Sequence, residues 1–352
     1  MVDKSRHYAG SSEFSGSATG PGNRTNTVAI AELLERARAD DIFVPVVDMK
    51  PVPENKAETA TWRRMVNDAV STTEITEGVN PDWQSVSYED VSGTFEERVE
   101  IYAVTSRSRR LSEDDHVKNS VDQLKDKVLR IRNAVGWSKW IAGTTVLYNN
   151  PNHSARTDVD GPITLGIIQE AVRLLDDAKG EFFTEVDDGG LFNGTVPLEP
   201  SYLGLGHTNV LPDLRRVDGF VTCAEYGSAK AVSKHEKGSV ENTRWLMSPE
   251  LTPFADSGAA VGSTNMKSTT GTDIDVYPLL ICAKYALGCG DLKGDADDGW
   301  GGVEVEILDK ADKSDPGNLN TLAVAHWWDL QLILNDTWVV RVEVGATADL
   351  TV

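Results

Sequence analysis

The sequence predicts an α+β fold with two domains and an N-terminal arm, and three observations carry that prediction. A strand-like, aromatic stretch from Ala60 to Val104 runs directly into a long amphipathic helical pattern that opens at Ser112. From Gly161 to Val344 helical and strand-like segments follow one another without an internal repeat, which marks a mixed domain. The chain has 352 residues, and single cores stop growing at roughly 250–300, so a second core is expected.

The elements follow in order. Residues 1–27 are dominated by Ser, Gly, Thr and Asn, with the breaker cluster Gly20-Pro21-Gly22-Asn23, and read as a flexible arm. A short helix over Val28–Ala37 and the proline-rich extended stretch Phe43–Pro53 complete an arm of residues 1–57. Trp83–Val104 predicts two strands. Val86 and Tyr88 alternate with serines, Val99, Ile101 and Ala103 alternate with Arg98, Glu100 and Tyr102, and Ser92-Gly93 is read as the reversal. A lone ribbon of this kind is marginally stable in water, so it needs a partner surface.

Ser112 before Glu113, Asp114 and Asp115 predicts a helix start, with a hydroxyl cap and three carboxylates at the positive end of the macrodipole. Val117, Val121, Leu124, Val128, Ile131 and Val135 recur every three or four residues, which keeps one apolar stripe. A helix continuing to Tyr148 would span roughly 54 Å at 1.5 Å per residue. Residues 105–140 carry nine Lys or Arg against five Asp or Glu. Asn149-Asn150-Pro151-Asn152 ends the pattern, and Gly161-Pro162 opens another helix that Gly180 stops.

Beyond it lie Leu211–Arg216, strand-like Phe220-Val221-Thr222 and the segment Gly238–Glu250. Residues 255–275, rich in Gly, Ser and Thr, read as a mobile loop. Residues 291–318 form the most acidic tract, around the alternating strand Val303–Ile307, and Trp338–Val344 is a final strand with Trp338, Val340, Val342 and Val344 on one face.

Bulk composition narrows the function classes. Hydrophobic content of 40% and charged content of 25% are ordinary globular values and argue against disorder. No run approaches the ~18 apolar residues of a membrane span, and Met1–Gly20 lacks a signal-peptide core, so no membrane partner and cytoplasmic synthesis are expected. Cys223, Cys282 and Cys289 form no CxxC pair, so neither a disulfide framework nor a Cys-based zinc site is indicated. The net charge of −21 argues against a phosphate-gripping surface.

Catalytic and metal motifs are likewise not indicated. Asp295–Glu306 has the length of a calcium loop, but Gly299 and Trp300 stand where a ligand and the obligatory glycine belong. His7, His116, His153, His207, His235 and His326 are scattered, and no GxSxG elbow or phosphate loop appears. No catalytic residue, cofactor or metal ligand is assigned. A carboxylate-dependent hydrolase and a β-rich binding module are the alternative classes.

The sequence resembles tailed-virus major capsid proteins, in the branch typified by the N-four-like short-tailed phages. The resemblance rests on Ala60–Arg64, Thr76-Glu77-Gly78-Val79, Pro81-Asp82-Trp83-Gln84, Pro212-Asp213-Leu214-Arg215, Gly219-Phe220-Val221, Tyr226-Gly227-Ser228, Gly238-Ser239-Val240, Ser248-Pro249-Glu250-Leu251, Asp275-Val276-Tyr277-Pro278 and Asn335–Val344, in that order along the chain. It implies a Hong Kong 97-type capsid fold. The arm would be residues 1–57, an E-loop hairpin 72–110, a peripheral domain with a long spine helix 111–161, a mainly axial domain 162–320, and a return to the peripheral sheet 321–352.

The same resemblance implies a structural subunit in the virion. It would self-assemble into hexamers and pentamers of an icosahedral head enclosing double-stranded DNA without sequence-specific binding, with portal and scaffold or decoration proteins as partners. Some members seal their shells through an E-loop lysine, and this chain has none between Lys56 and Lys118. Trp83, Tyr88 and Phe95 are candidate apolar anchors between subunits. Arg107, Arg109 and Arg110 are candidates for pairing with a neighbour's carboxylates, including those of the acidic tract.

Overall fold

A computed structural model of the chain describes residues 42–53, 58–66, 72, 74, 77–78, 83, 85–112, 115–187, 195–226, 231–262, 264–293, 304–311 and 315–349. The helix expected over 28–37 and the calcium-length loop up to residue 303 lie outside them. In chain order the first strands are β1 (Asp48–Pro53), β2 (Thr59–Met65), β3 (Tyr88–Thr94), β4 (Glu96–Thr105), β5 (Val146–Tyr148), β6 (Phe183–Asp187) and β7 (Thr195–His207). There follow β8 (Val221–Thr222), β9 (Glu236–Val240), β10 (Thr243–Ser248), β11 (Tyr277–Cys282), β12 (Leu287–Lys293), β13 (Glu304–Leu308), β14 (Asn320–Ile333) and β15 (Val339–Val344). The helices are α1 (Ser106–Leu111), α2 (His116–Trp140), α3 (Leu165–Asp177) and α4 (Leu211–Arg215).

These elements form two compact units, one comprising described residues 97–132 and 304–328, the other 42–96, 133–293 and 329–349. The larger unit is organised by an eight-stranded sheet in the order β5-β15-β11-β7-β10-β9-β8, with β6 paired to β7. The core of this unit lies where α3 sets Ile167, Ile168, Ala171 and Leu175 against Tyr202, Trp245, Leu279, Ile281, Val340 and Val342. That face follows from their helical spacing.

Lys179 takes the left-handed conformation after α3, at φ 56°, and the Gly180 amide donates to the Leu175 carbonyl at 2.8 Å, which closes the helix. The β9–β10 turn puts Glu241 and Asn242 at φ 48° and 58°. Paired positive φ values suit the right-handed twist of a two-residue hairpin.

Gly204 on β7 leaves room for the ring of Trp245, its register partner on the neighbouring strand β10. A Cβ at Gly204 would stand 2.6 Å from the Trp245 ring, and Trp245 is wholly buried. Gly204→Ala is therefore expected to destabilise the chain by about 1–3 kcal/mol through overpacking, read as a lower urea midpoint with an unchanged slope.

On the face of β15 away from α3, the Glu343 side chain is 1% exposed. It accepts two bonds from the Arg156 guanidinium at 2.9 and 2.8 Å and pairs with Arg341 at 2.9 Å. Arg156 also stacks 3.5 Å over the Phe254 ring, and the Glu343 carboxylate raises the Arg156 pKa. Thr347 donates from its amide and hydroxyl to Asp213 at 2.8 and 2.6 Å, tying the chain after β15 to α4.

The same unit holds a second arrangement in which β1 lies parallel to β12, and β12 antiparallel to the Asp329–Ile333 end of β14. Ile42, Phe43, Val46 and Val47 just before β1 are buried, and Phe43 meets Trp140 edge to face at 4.6 Å. The described part of the expected arm thus packs into its own unit.

In the smaller unit β4 and β13 pair with β14. Leu124 and Val128 of α2 cover Ala323, Ala325 and Trp327, with Tyr102, Val121, Ile131 and Val305 around them. The apolar stripe read from the sequence is therefore the packed face.

Five expectations need correction. The chain does not reverse at Ser92-Gly93: β3 pairs antiparallel with β2, in register Thr59↔Thr94 to Met65↔Tyr88, and β4 pairs with β14. Gly93 serves close packing instead, since a Cβ there would lie 2.6 Å from Leu330 Cδ1.

The second correction concerns the start of the long helix. Asp115 accepts from the Lys118 amide at 3.1 Å and caps α2, while the Ser112 amide bonds to the Ser108 carbonyl and ends α1. The third is its end, at Trp140 rather than Tyr148. Gly143 and the β-branched run Thr144-Thr145-Val146 follow, and Asp336 takes the Thr144 amide at 3.0 Å. The helix is thus about 37 Å long at 1.5 Å per residue.

Fourth, the final strand starts at Val339, because Asp336–Trp338 form a 3₁₀ turn capped by Asn335. Fifth, residues 255–275 are tied rather than loose. Asp275 accepts from the Asp256 and Thr269 amides at 2.9 and 3.1 Å and from the Thr269 hydroxyl at 3.0 Å. Asp256 takes Ser268 Oγ and the Thr270 amide at 3.1 and 3.2 Å. The small polar residues that suggest mobility are the donors of this network.

Candidate assembly surfaces

The β2–β3 ribbon is a two-stranded sheet that pairs with no other strand among the described residues. Its strands hold each other by charge. Arg63 and Asp90 face each other in register and form a two-pronged pair at 2.7 and 2.8 Å, and Arg64 next to them holds Glu89 at 2.9 and 2.6 Å. Because successive residues point to opposite faces, one pair lies on each side of the ribbon. Exposed pairs of this kind stabilise little, typically less than about 1 kcal/mol, so the ribbon remains short of a core.

Large apolar side chains collect toward the open end of this ribbon. Met65 is 64% exposed, Val86 55%, Tyr88 60% and Trp83 97%. Large apolar groups exposed near one another mark a candidate contact surface. Arg63 lies 5.7 Å from the Tyr88 ring and leaves its outer face open.

In the smaller unit, the outward positions Val99 and Ile101 of β4 and Leu308 of β13 are 50%, 54% and 43% exposed. Leu111 at the end of α1 is also exposed. Glu97 of β4 meets His326 of β14 at 2.6 Å beside them. This unit thus buries one sheet face beneath α2 and leaves apolar groups on its other side.

Comparison with known structures gives the fold a name. The chain is similar to the capsid of Ralstonia phage GP4, with a TM-score of 0.65 at 12% identity, covering 95% of this chain and 99% of that one. It is similar to the capsid asymmetric unit of cyanophage Pam1, with a TM-score of 0.61 at 10% identity, covering 93% and 98%. The chain has the Hong Kong 97-type capsid fold. The holo-SrpI encapsulin complex of Synechococcus elongatus shares this capsid fold at a TM-score of 0.53 and 10% identity, covering 91% and 93%. No family model and no curated protein sequence matches the chain.

In this capsid fold the sequence-derived candidates separate. Tyr88 lies exposed on the ribbon, and Trp83 is exposed in the segment that precedes β3. Phe95 does not: it is 6% exposed, packs near Gly290, and its amide donates to the Glu58 carbonyl at 3.1 Å. As an intersubunit anchor it is corrected, because its ring is already buried in its own chain. Met65 and Val86 join the exposed set. The signal for Met65 was the match of Arg63-Arg64 with Glu89-Asp90, which places β2 beside β3.

Among the arginines, Arg109 is held within the chain, pairing with Asp309 and donating to Thr321 Oγ1 at 2.9 Å. It does meet the acidic tract, but the tract of its own chain. Arg107 and Arg110 are exposed on α1.

These pairings depend on pH. Arg109 holds the Asp309 carboxyl below the usual carboxylate range, and Arg63 does the same to Asp90. A depressed folded pKa contributes stability above the unfolded value of about 3.9 and loses it as pH falls through the folded pKa. Carbon-13 titration is expected to give both carboxyls midpoints below about 3.9, moved up toward that value by Arg63→Ala for Asp90 and, in part, by Arg109→Ala for Asp309, which Thr321 and Asn318 also hold down.

Proposed function

We propose that this protein is the major capsid subunit of a tailed virus, a structural subunit of the icosahedral head that encloses double-stranded DNA. The observation that carries the reading is a capsid fold bearing a self-paired ribbon that joins no other strand among the described residues and whose end carries exposed apolar side chains. Heterologous contacts that close into rings of five and six would build the capsomers. The acidic charge of −21 suits a container that holds DNA without adhering to it.

On this reading the ribbon, residues 59–94, is the E-loop, starting earlier than the 72–110 read from sequence because β2 is its first strand. The spine helix is α2 within a peripheral domain at 111–161. Residues 162–320 are mainly axial, and 321–352 return to the peripheral sheet. Residues 1–57 form the arm, with 42–53 as its packed root. Arg107 and Arg110 remain available to a neighbour's carboxylates. The motif series from Ala60 to Val344 supports the N-four-like branch, with portal and scaffold or decoration proteins as partners.

Likeness to an encapsulin complex favours a second reading, a shell of the encapsulin kind. Electron microscopy and nuclease protection separate the two. Closed particles holding nuclease-resistant double-stranded DNA are expected from an infected host; closed particles without such DNA would favour the encapsulin-like shell. A chain that stays monomeric under all assembly conditions overturns both.

A further inference from the structure

His207 ends β7 in the larger unit, away from the ribbon and from the ion pairs described above. Its Nδ1 accepts the Asn209 amide at 2.9 Å and caps the 3₁₀ turn Thr208–Val210, which runs on into α4. An imidazole nitrogen that accepts a bond carries no proton, so this cap exists only on the neutral ring. The capped segment places Val210 and Leu214 wholly inside the core. Asp213, on the same short helix, takes the Thr347 amide and hydroxyl, so the chain after β15 is fastened to whatever His207 holds.

The surroundings of the ring disfavour a proton. It lies 5.3 Å from the Tyr277 ring, whose hydroxyl accepts from Asn209 Nδ2 at 3.0 Å. The carboxylates of the neighbouring elements are engaged elsewhere: Asp275 with the Asp256 and Thr269 amides, Glu250 with Asn133 Nδ2 at 2.9 Å, and Asp213 with Thr347. Burial, and after it the Lys267 ammonium, press the His207 pKa below its ordinary value of about 6.5, against the Pro249 carbonyl, which favours the proton.

We propose that His207 is an acid-operated latch: a proton at its Nδ1 breaks the cap on residues 208–215 and, through Asp213, loosens residues 345–349. The proton comes from solvent, and no bond between heavy atoms of the chain changes. The Asn209 N–H then faces another N–H instead of a lone pair, beside the Lys267 ammonium. Because the folded pKa is lowered, the latched form binds fewer protons than the open one. Its stabilisation is complete above about pH 6.5 and is lost as pH falls from there toward the folded pKa. Across that window the opening constant rises by up to about tenfold per pH unit. Cap and fastened segment belong to one copy, so failure of the latch leaves the shell reading intact.

Hydrogen exchange of the full chain, read by mass spectrometry, tests this between about pH 7.5 and about pH 5, above the ordinary carboxylate range. Labelling times are scaled to the intrinsic exchange rate at each pH. Peptides covering 207–215 and 345–349 are expected to lose protection together below about pH 6.5, by up to about tenfold per unit, while α3 at 165–177 keeps its own. His207→Asn replaces the ring with a side chain that caps equally well and does not titrate, and it should make both peptides insensitive to pH. Four results overturn the proposal: constant protection in the wild type, loss in only one of the two segments, equal loss in α3, or the same pH dependence in His207→Asn.

Discussion

A chain carrying Met65→Ser, Trp83→Ser, Val86→Ser and Tyr88→Ser is expected to fold as the wild type does and to remain unassembled. All four side chains are more than half exposed, so they contribute little to the fold of the single chain. Surface substitutions of this kind usually change stability by less than about 0.5 kcal/mol. Against a neighbour the same side chains each contribute on the order of 1.5–3 kcal/mol on burial. On the shell reading each subunit of a ring would meet a neighbour on both sides, so the loss would be felt at every joint. Sedimentation velocity should show monomer at concentrations where the wild type forms particles, with circular dichroism and the thermal midpoint unchanged. Particles at wild-type yield would remove the ribbon from assembly.

The second large effect is expected at Glu343, in the fold itself. Glu343→Ala leaves Arg156 and Arg341 facing each other without the carboxylate that both hold. Removing one partner of a buried ion pair costs about 3–5 kcal/mol. Domains are stable by only about 5–15 kcal/mol, so the variant should lose a large part of its soluble yield and unfold at a much lower urea concentration. Glu343→Gln keeps two polar atoms for the guanidinium groups and should lose less. A midpoint for Glu343→Ala within error of the wild type would show that Arg156 stacking on Phe254 suffices to hold this region.

Much of the architecture was legible in the sequence because its signals are local. The spacing of Leu124, Val128 and Ile131 fixed the packed face of α2, and alternation placed Val340, Val342 and Val344 toward the core. Helix ends were harder, since Ser112 and Asp115 are both good caps, and Ser112 serves instead as the end of α1 while Asp115 caps α2. The end at Trp140 depends on Asp336, far along the chain, which captures the Thr144 amide.

Strand partners were the least legible. Ser92-Gly93 has the composition of a turn, yet Gly93 is there for Leu330. The residues that pair β2 with β3, Arg63-Arg64 with Glu89-Asp90, lie on either side of a long intervening segment. For the surface, Trp83 and Tyr88 were found by residue type, whereas the burial of Phe95 depends on β12 and β14, which no local pattern connects to it.

The position of β15 within the eight-stranded sheet has a consequence for biogenesis. This strand is inserted between β5 and β11, pairing Arg341 with Val146 and with Leu280. During translation the sheet stays open until residues 339–344 have left the ribosome, because neither earlier strand can pair with the other across the vacant place. A product truncated before Val339 would leave the β11 edge unpaired and the core without Val340, Val342 and Val344, and on the shell reading such a chain is not expected to enter particles.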